Sequence, residues 1–156
     1  MRIQSYLFAL AFILLGCEPD DICLAETPGT PQLIVVFYDK VQSENKKQVS
    51  NLQITGLGSE TTLFNGTTDS IAIPLKVKEN STTFIFTKTA NDVALEETIT
   101  FNYDSNDHFI SRACGYQKIF TNVTSERLNR VVWIESIEII NNSISDTKHT
   151  HVKILH

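Results

Sequence analysis

The chain has 156 residues, of which 42% are hydrophobic and 20% charged, enough apolar material for one core and too little charge for a disordered polyelectrolyte. Its formal net charge of −5 argues against a nucleic-acid partner, which would need a basic footprint to neutralise phosphates.

Residues 1–16 read as an address and not as part of the fold. Arg2 supplies one positive charge, and Leu7 to Leu15 is an unbroken apolar run. Such a run is too short to cross a ~30 Å hydrocarbon core as a helix. It ends in Leu14-Leu15-Gly16-Cys17, which resembles the bacterial lipobox: a leucine three residues before the cysteine, a small residue directly before it, and the cysteine itself. The resemblance implies cleavage between Gly16 and Cys17 and a diacylglycerol thioether on Cys17, so a membrane is the expected partner through that lipid anchor. The alternative is an ordinary secretory signal with a coincidental cysteine; export follows from both.

Residues 17–31 are expected to be an irregular tether, because Pro19, Pro28 and Pro31 with Gly29 oppose regular structure. The acidic cluster Glu18-Pro19-Asp20-Asp21 resembles the signals that send lipoproteins of the Bacteroidota to the outer face of the outer membrane, and also reads as a solvated spacer. Lipidation of Cys17 leaves Cys23 and Cys114, an even number in an oxidising compartment, and a disulfide between them is expected. In the chain-entropy model a loop of that length is worth on the order of 4 to 5 kcal/mol. Two free thiols or a thiol pair in a metal site are the competing readings.

Residues 32–156 are expected to form one all-β domain, a single antiparallel β-sandwich, Ig-like or a related Greek-key sandwich of about 7–9 strands. Strands are expected at Gln32 to Tyr38, Leu52 to Leu57, Ser70 to Leu75, Thr82 to Thr87, Glu97 to Tyr103, Tyr116 to Asn122, Val132 to Ile140 and His151 to Leu155. Leu33 to Phe37 is apolar on both faces and belongs in mid-sheet. Phe84 and Phe86, and Ile99, Phe101 and Tyr103, alternate with polar neighbours as on a half-buried sheet. Pro74 points to an edge or a strand end. Gln42 to Ser50 reads as a polar loop, and Thr124 to Leu128 as a short helical turn capped by Thr124.

Signatures of catalysis are sparse. The sequence contains no Gly-rich phosphate loop, nucleophile elbow, His-Glu-x-x-His or EF-hand loop. His149 and His151 have the only metal-like spacing, on one strand face near Lys153, and make a weak metal candidate. Glu96 and Glu97 face opposite ways on a strand and read as solvated surface charge. Trp133 and the aromatics Phe37, Tyr38, Phe84, Phe86, Phe101, Phe109, Tyr116 and Phe120 read as sandwich core, with a sugar or lipid platform as the alternative.

Phe109-Ile110-Ser111-Arg112-Ala113-Cys114-Gly115-Tyr116, with Asp20-Asp21-Ile22-Cys23-Leu24, Pro28-Gly29-Thr30-Pro31 and Phe84-Ile85-Phe86-Thr87-Lys88, resembles a lipoprotein family of the Bacteroidota, DUF6452, whose function is unknown. The resemblance implies an outer-membrane or periplasmic lipoprotein with a mostly β domain, and it pairs the two cysteine-bearing motifs. Within it, Arg112 can grip a carboxylate or phosphate in bidentate fashion, and Arg112 and Tyr116 are the candidate ligand or partner contacts. The expected function is that of a lipid-anchored, non-enzymatic binding or assembly module of the cell envelope, without a cofactor, with an outer-membrane β-barrel as candidate partner. A small-molecule or glycan binder is the first rival, and a hydrolase whose site is scattered along the chain the second.

Overall fold

The computed structural model describes residues 22–128 and 132–156. The expected leader, Gly16 and the lipidation site Cys17 lie outside the described residues. Nine strands follow in chain order: β1 (Leu33–Tyr38), β2 (Val49–Gly56), β3 (Thr62–Thr68), β4 (Ser70–Ile73), β5 (Ser81–Ala90), β6 (Val93–Ser111), β7 (Gly115–Arg127), β8 (Ser136–Ile139) and β9 (Val152–Leu155). They form an all-β sandwich of two sheets, one in the order β4-β1-β9-β8 and one in the order β3-β2-β5-β6-β7. The described chain divides into two compact units, residues 28–108 with 117–156, which hold the sandwich core, and residues 22–27 with 109–116, which hold the turn between β6 and β7.

Alternation builds the core. Phe84 and Phe86 of β5 and Ile99 and Phe101 of β6 are buried on one face of the larger sheet, while Leu33, Val35 and Phe37 of β1 and Val152 and Ile154 of β9 are buried in the smaller one. β1 lies inside its sheet between β4 and β9, as its two-sided apolarity requires. β4 is at an edge and stops at Ile73, one residue before Pro74, which has no N–H to give a ladder. β5 and β6 are joined by Asn91 and Asp92 alone, both at positive φ (50° and 61°), the backbone that two-residue hairpins favour and that Asn and Asp tolerate.

Several features depart from the sequence expectations, among them the strand expected at Val132 to Ile140, of which only Ser136–Ile139 is strand. β1–β4, β2–β3, β2–β5, β5–β6 and β8–β9 pair antiparallel, whereas β1 and β9 run parallel with Val35 opposite Val152. β3 had no counterpart among the expected strands; its Gly66 pairs with Leu52 in an exposed edge strand where little apolar material is needed. The polar loop after β1 ends sooner than expected, since Val49 and Ser50 already belong to β2. The helical turn at 124–128 is instead the end of β7, where Val123 enters the core and the Leu128 N–H donates to the Thr98 carbonyl (3.0 Å).

Glu97 corrects the reading of solvated charge. It shares strand parity with Ile99, Phe101 and Tyr103 and is fully buried. Its Oε1 accepts the backbone N–H groups of Val132, Trp133 and Ile134 at 2.8, 3.0 and 3.0 Å, and Arg127 Nε stands 3.5 Å from Oε2. Trp133 Nε1 donates to the Phe86 carbonyl at 3.3 Å, and the Glu135 N–H to the Leu155 carbonyl at 2.8 Å. The segment 132–135 is thereby bonded to β5 and β6 of one sheet and to β9 of the other.

Removing the Glu97 carboxylate strands three backbone donors and the Arg127 charge. In urea unfolding, Glu97→Ala is expected to lose about 3–5 kcal/mol of stability, as when one partner of a buried ion pair is deleted. Glu97→Gln, which keeps an acceptor oxygen, is expected to lose less. An alanine variant within about 0.5 kcal/mol of wild type, as a solvated glutamate would give, contradicts this role.

Candidate functional site at the disulfide-closed turn

β6 and β7 are joined by Arg112, Ala113 and Cys114, so two of the residues that the sequence singled out lie in this turn and Tyr116 follows it in β7. The Ser111 hydroxyl accepts the Cys114 N–H at 3.0 Å, and Gly115 takes φ +71°, a left-handed conformation open to glycine without a Cβ penalty. Cys23 is disulfide-bonded to Cys114, with Cα atoms 4.8 Å apart, as expected from the cysteine count. On the other side of the bridge the Thr27 N–H donates to the Leu24 carbonyl (3.0 Å), closing a turn, and the Thr27 hydroxyl lies 3.7 Å from Cys114 Sγ.

Side chains around the bridge are apolar and exposed. The rings of Phe109 and Tyr116 meet edge to face, with centroids 5.2 Å apart at 62°. Phe109 is 52% exposed, Tyr116 68%, Ile22 75% and Leu24 64%. Arg112 is exposed in the same turn. The structure thus brings Arg112 and Tyr116 together with Cys114. Phe109, which the sequence offered for a sugar or lipid platform as the alternative to core, is exposed in the same unit; Ile22 and Leu24, on either side of Cys23, are exposed too and were not anticipated as contacts.

The other aromatics divide. Phe37, Phe84, Phe86, Phe101 and Phe120 are fully buried core, while Trp133 is half-buried and packs beside Phe37 and His156. A separate cleft of about 360 Å³ is lined by residues 28–32, Gln117 and residues 145–148. Its wall is held by the Lys118 N–H, which donates to Thr30 Oγ1 at 3.1 Å.

His149 and His151 do not share a face, which corrects the metal candidate. His149 is exposed and pairs with Asp146, 3.0 Å from Nδ1. His151 precedes β9 and is buried to 1% exposure, where its Nδ1 accepts the Ile34 N–H at 3.0 Å while its own N–H donates to the Ile34 carbonyl at 3.0 Å. The imidazole completes the parallel ladder one residue before β9 begins, and an acceptor Nδ1 fixes the neutral ring with its proton on Nε2. Among the described residues no group of three or more His, Cys, Asp or Glu side chains has metal-binding geometry. His156 is also buried, with Nε2 donating to the Lys47 carbonyl at 3.2 Å. Burial holds both histidines below the ordinary imidazole value of 6.5.

A family model described as a family of unknown function (DUF6452) matches residues 51–156. The matched region contains the Phe84 to Lys88 and Phe109 to Tyr116 motifs and begins after Cys23. No curated protein and no solved structure matches the chain.

Because His151 and His156 are harder to protonate in the folded chain than in the unfolded one, the unfolded state binds more protons as pH falls through the imidazole range. Stability is expected to be full above that range and to decline between about pH 8 and pH 5. Urea midpoints should follow this slope, and His151→Gln should flatten it; an unchanged slope in that variant assigns the pH dependence elsewhere.

Proposed function

The chain belongs to the DUF6452 family, and from that premise we propose that it is a lipid-anchored protein of the cell envelope whose sandwich is a non-catalytic binding or assembly module beside an outer-membrane β-barrel. The observation that carries the reading is the Cys23–Cys114 disulfide, formed by the first cysteine after the lipobox-like Leu14 to Cys17. Such bridges belong to oxidising, exported compartments. This one ties the segment that follows the anchor to the turn between the two longest strands, leaving Cys17 as the one cysteine for acylation.

The fate of the acid-base side chains supports a binding role over a catalytic one. Glu97, His151 and His156 are committed to backbone hydrogen bonds inside the sandwich, and His149 is paired with Asp146. The exposed apolar surface around the disulfide is the kind of patch that contacts another molecule. The second reading, a small-molecule or glycan binder, is favoured by the cleft beside residues 28–32, whose volume of about 360 Å³ lies within the range of small-ligand sites.

Wild-type protein is expected to incorporate a labelled fatty acid and, captured from gently solubilised envelopes, to bring down an outer-membrane β-barrel in stoichiometric amount. Cys17→Ala is expected to lose the label and to be depleted from the assembly. A wild type without label contradicts the anchor, and a labelled wild type that recovers no barrel contradicts the assembly role and turns attention to the cleft.

A further inference from the structure

We propose that the disulfide-closed turn is a membrane-contact surface, with Phe109, Tyr116, Ile22 and Leu24 entering the headgroup-to-acyl boundary of the leaflet that holds the anchor. The proposal rests on the anchor reading above and adds to it a second, non-covalent point of attachment.

Three observations carry it. The first is clustering. Four of the twelve exposed large apolar side chains among the described residues fall in the small unit formed by residues 22–27 and 109–116. Isolated exposed apolar residues need no explanation, whereas a group around one turn does.

The second is reach. Six peptide units separate Cys17 from Cys23, and a fully extended chain of that length spans about 20 Å. The disulfide then holds Cys114 with its Cα 4.8 Å from that of Cys23. Acyl chains on Cys17 therefore keep this turn within a short distance of the lipid surface, and the lipid is the apolar phase within reach of the four side chains.

The third is chemistry. Tyr116 has an apolar ring and a polar hydroxyl, the combination that settles at membrane interfaces, and it meets Phe109 edge to face. Arg112, exposed on the same turn, has a long aliphatic stem that can lie along the acyl boundary while its guanidinium stays at the level of the phosphates. Glu18, Asp20 and Asp21 sit in the tether between anchor and turn, and the whole chain carries a net charge of −5. The attraction is therefore apolar, and it operates on zwitterionic lipid, which does not repel these carboxylates.

The test uses the full mature lipoprotein in phosphatidylcholine–phosphatidylethanolamine vesicles containing lipid brominated near the glycerol end of its acyl chains. Phe109→Trp is compared with Val93→Trp, at an exposed position where β6 begins, and wild-type emission supplies the Trp133 baseline; intact mass reports acylation. The proposal predicts acylated protein in which the indole introduced by Phe109→Trp is blue-shifted and quenched and the one introduced by Val93→Trp is not. Acylated protein in which both variants are equally unquenched overturns the contact and leaves the anchor standing. Vesicle-bound Phe109→Trp protein whose added emission is blue-shifted but unquenched overturns it in favour of a protein neighbour, such as a second copy. Protein without acyl mass overturns the anchor and this inference together.

Discussion

One carboxylate oxygen, Glu97 Oε1, accepts the N–H groups of three consecutive residues, and the sandwich depends on that arrangement. Val132 to Ile134 follows β7 of the larger sheet and leads into β8 of the smaller one, so its backbone leaves one ladder before it joins the other. Backbone donors outside a ladder and partly or wholly removed from water are costly unless paired. Glu97 satisfies three of them, while Arg127 near its second oxygen supplies an opposite charge. With the segment held, Ile134 enters the core and Trp133 lies along β5. His151 does a related job at the start of β9, substituting a ring nitrogen for a ladder carbonyl. Both polar groups are buried where the backbone needs a partner.

The small unit around the disulfide follows a different logic. It is held by a covalent bond, two local turns and an edge-to-face pair of rings, and Ile22, Leu24, Phe109 and Tyr116 are exposed. Burial of apolar surface is the main favourable term in folding, so a surface of this kind that remains exposed is available to stabilise contact with something else. Its first residues, 22–27, come shortly after the lipobox-like Leu14 to Cys17 in the sequence. An acylated Cys17 and the apolar turn would be two attachments of different kinds joined by a short tether, and lipid anchoring is secure when a second signal supplements an acyl group.

Much of the sandwich was legible from period and apolarity. Leu33 to Phe37 is apolar on both sides and lies mid-sheet; Phe84, Phe86, Ile99 and Phe101 alternate and face the core; Pro74 follows an edge strand. The disulfide followed from counting cysteines in a chain whose first residues read as an export signal. The failures have local causes. Asn65-Gly66 carries turn chemistry inside an edge strand that buries little. Thr124 to Leu128 has a capping residue, but β7 supplies a ladder that a helix of one turn cannot match. Glu97 was misread although its parity with Ile99 and Phe101 places it inward, because the three N–H groups that reward burial come from residues far along the chain. His151 was missed for the same reason, its partner Ile34 lying at the other end of the domain. Exposure of Phe109 and Tyr116 was not legible either, since alternation does not reveal where a long strand leaves the core.

An acylated Cys17 tied through Cys23 to the turn at Cys114 is the arrangement on which the functional reading stands, and a single unreduced tryptic digest of the native protein tests it. No Lys or Arg lies between Cys17 and Lys40, while Arg112 and Lys118 bracket Cys114. The expected result is one cross-linked species, in which a peptide from Cys17 to Lys40 bears acyl chains on its first residue and is joined by a disulfide to Ala113–Lys118. An N-terminus other than Cys17, a Cys17 without acyl mass, or a Cys23 that alkylates without reductant would contradict it.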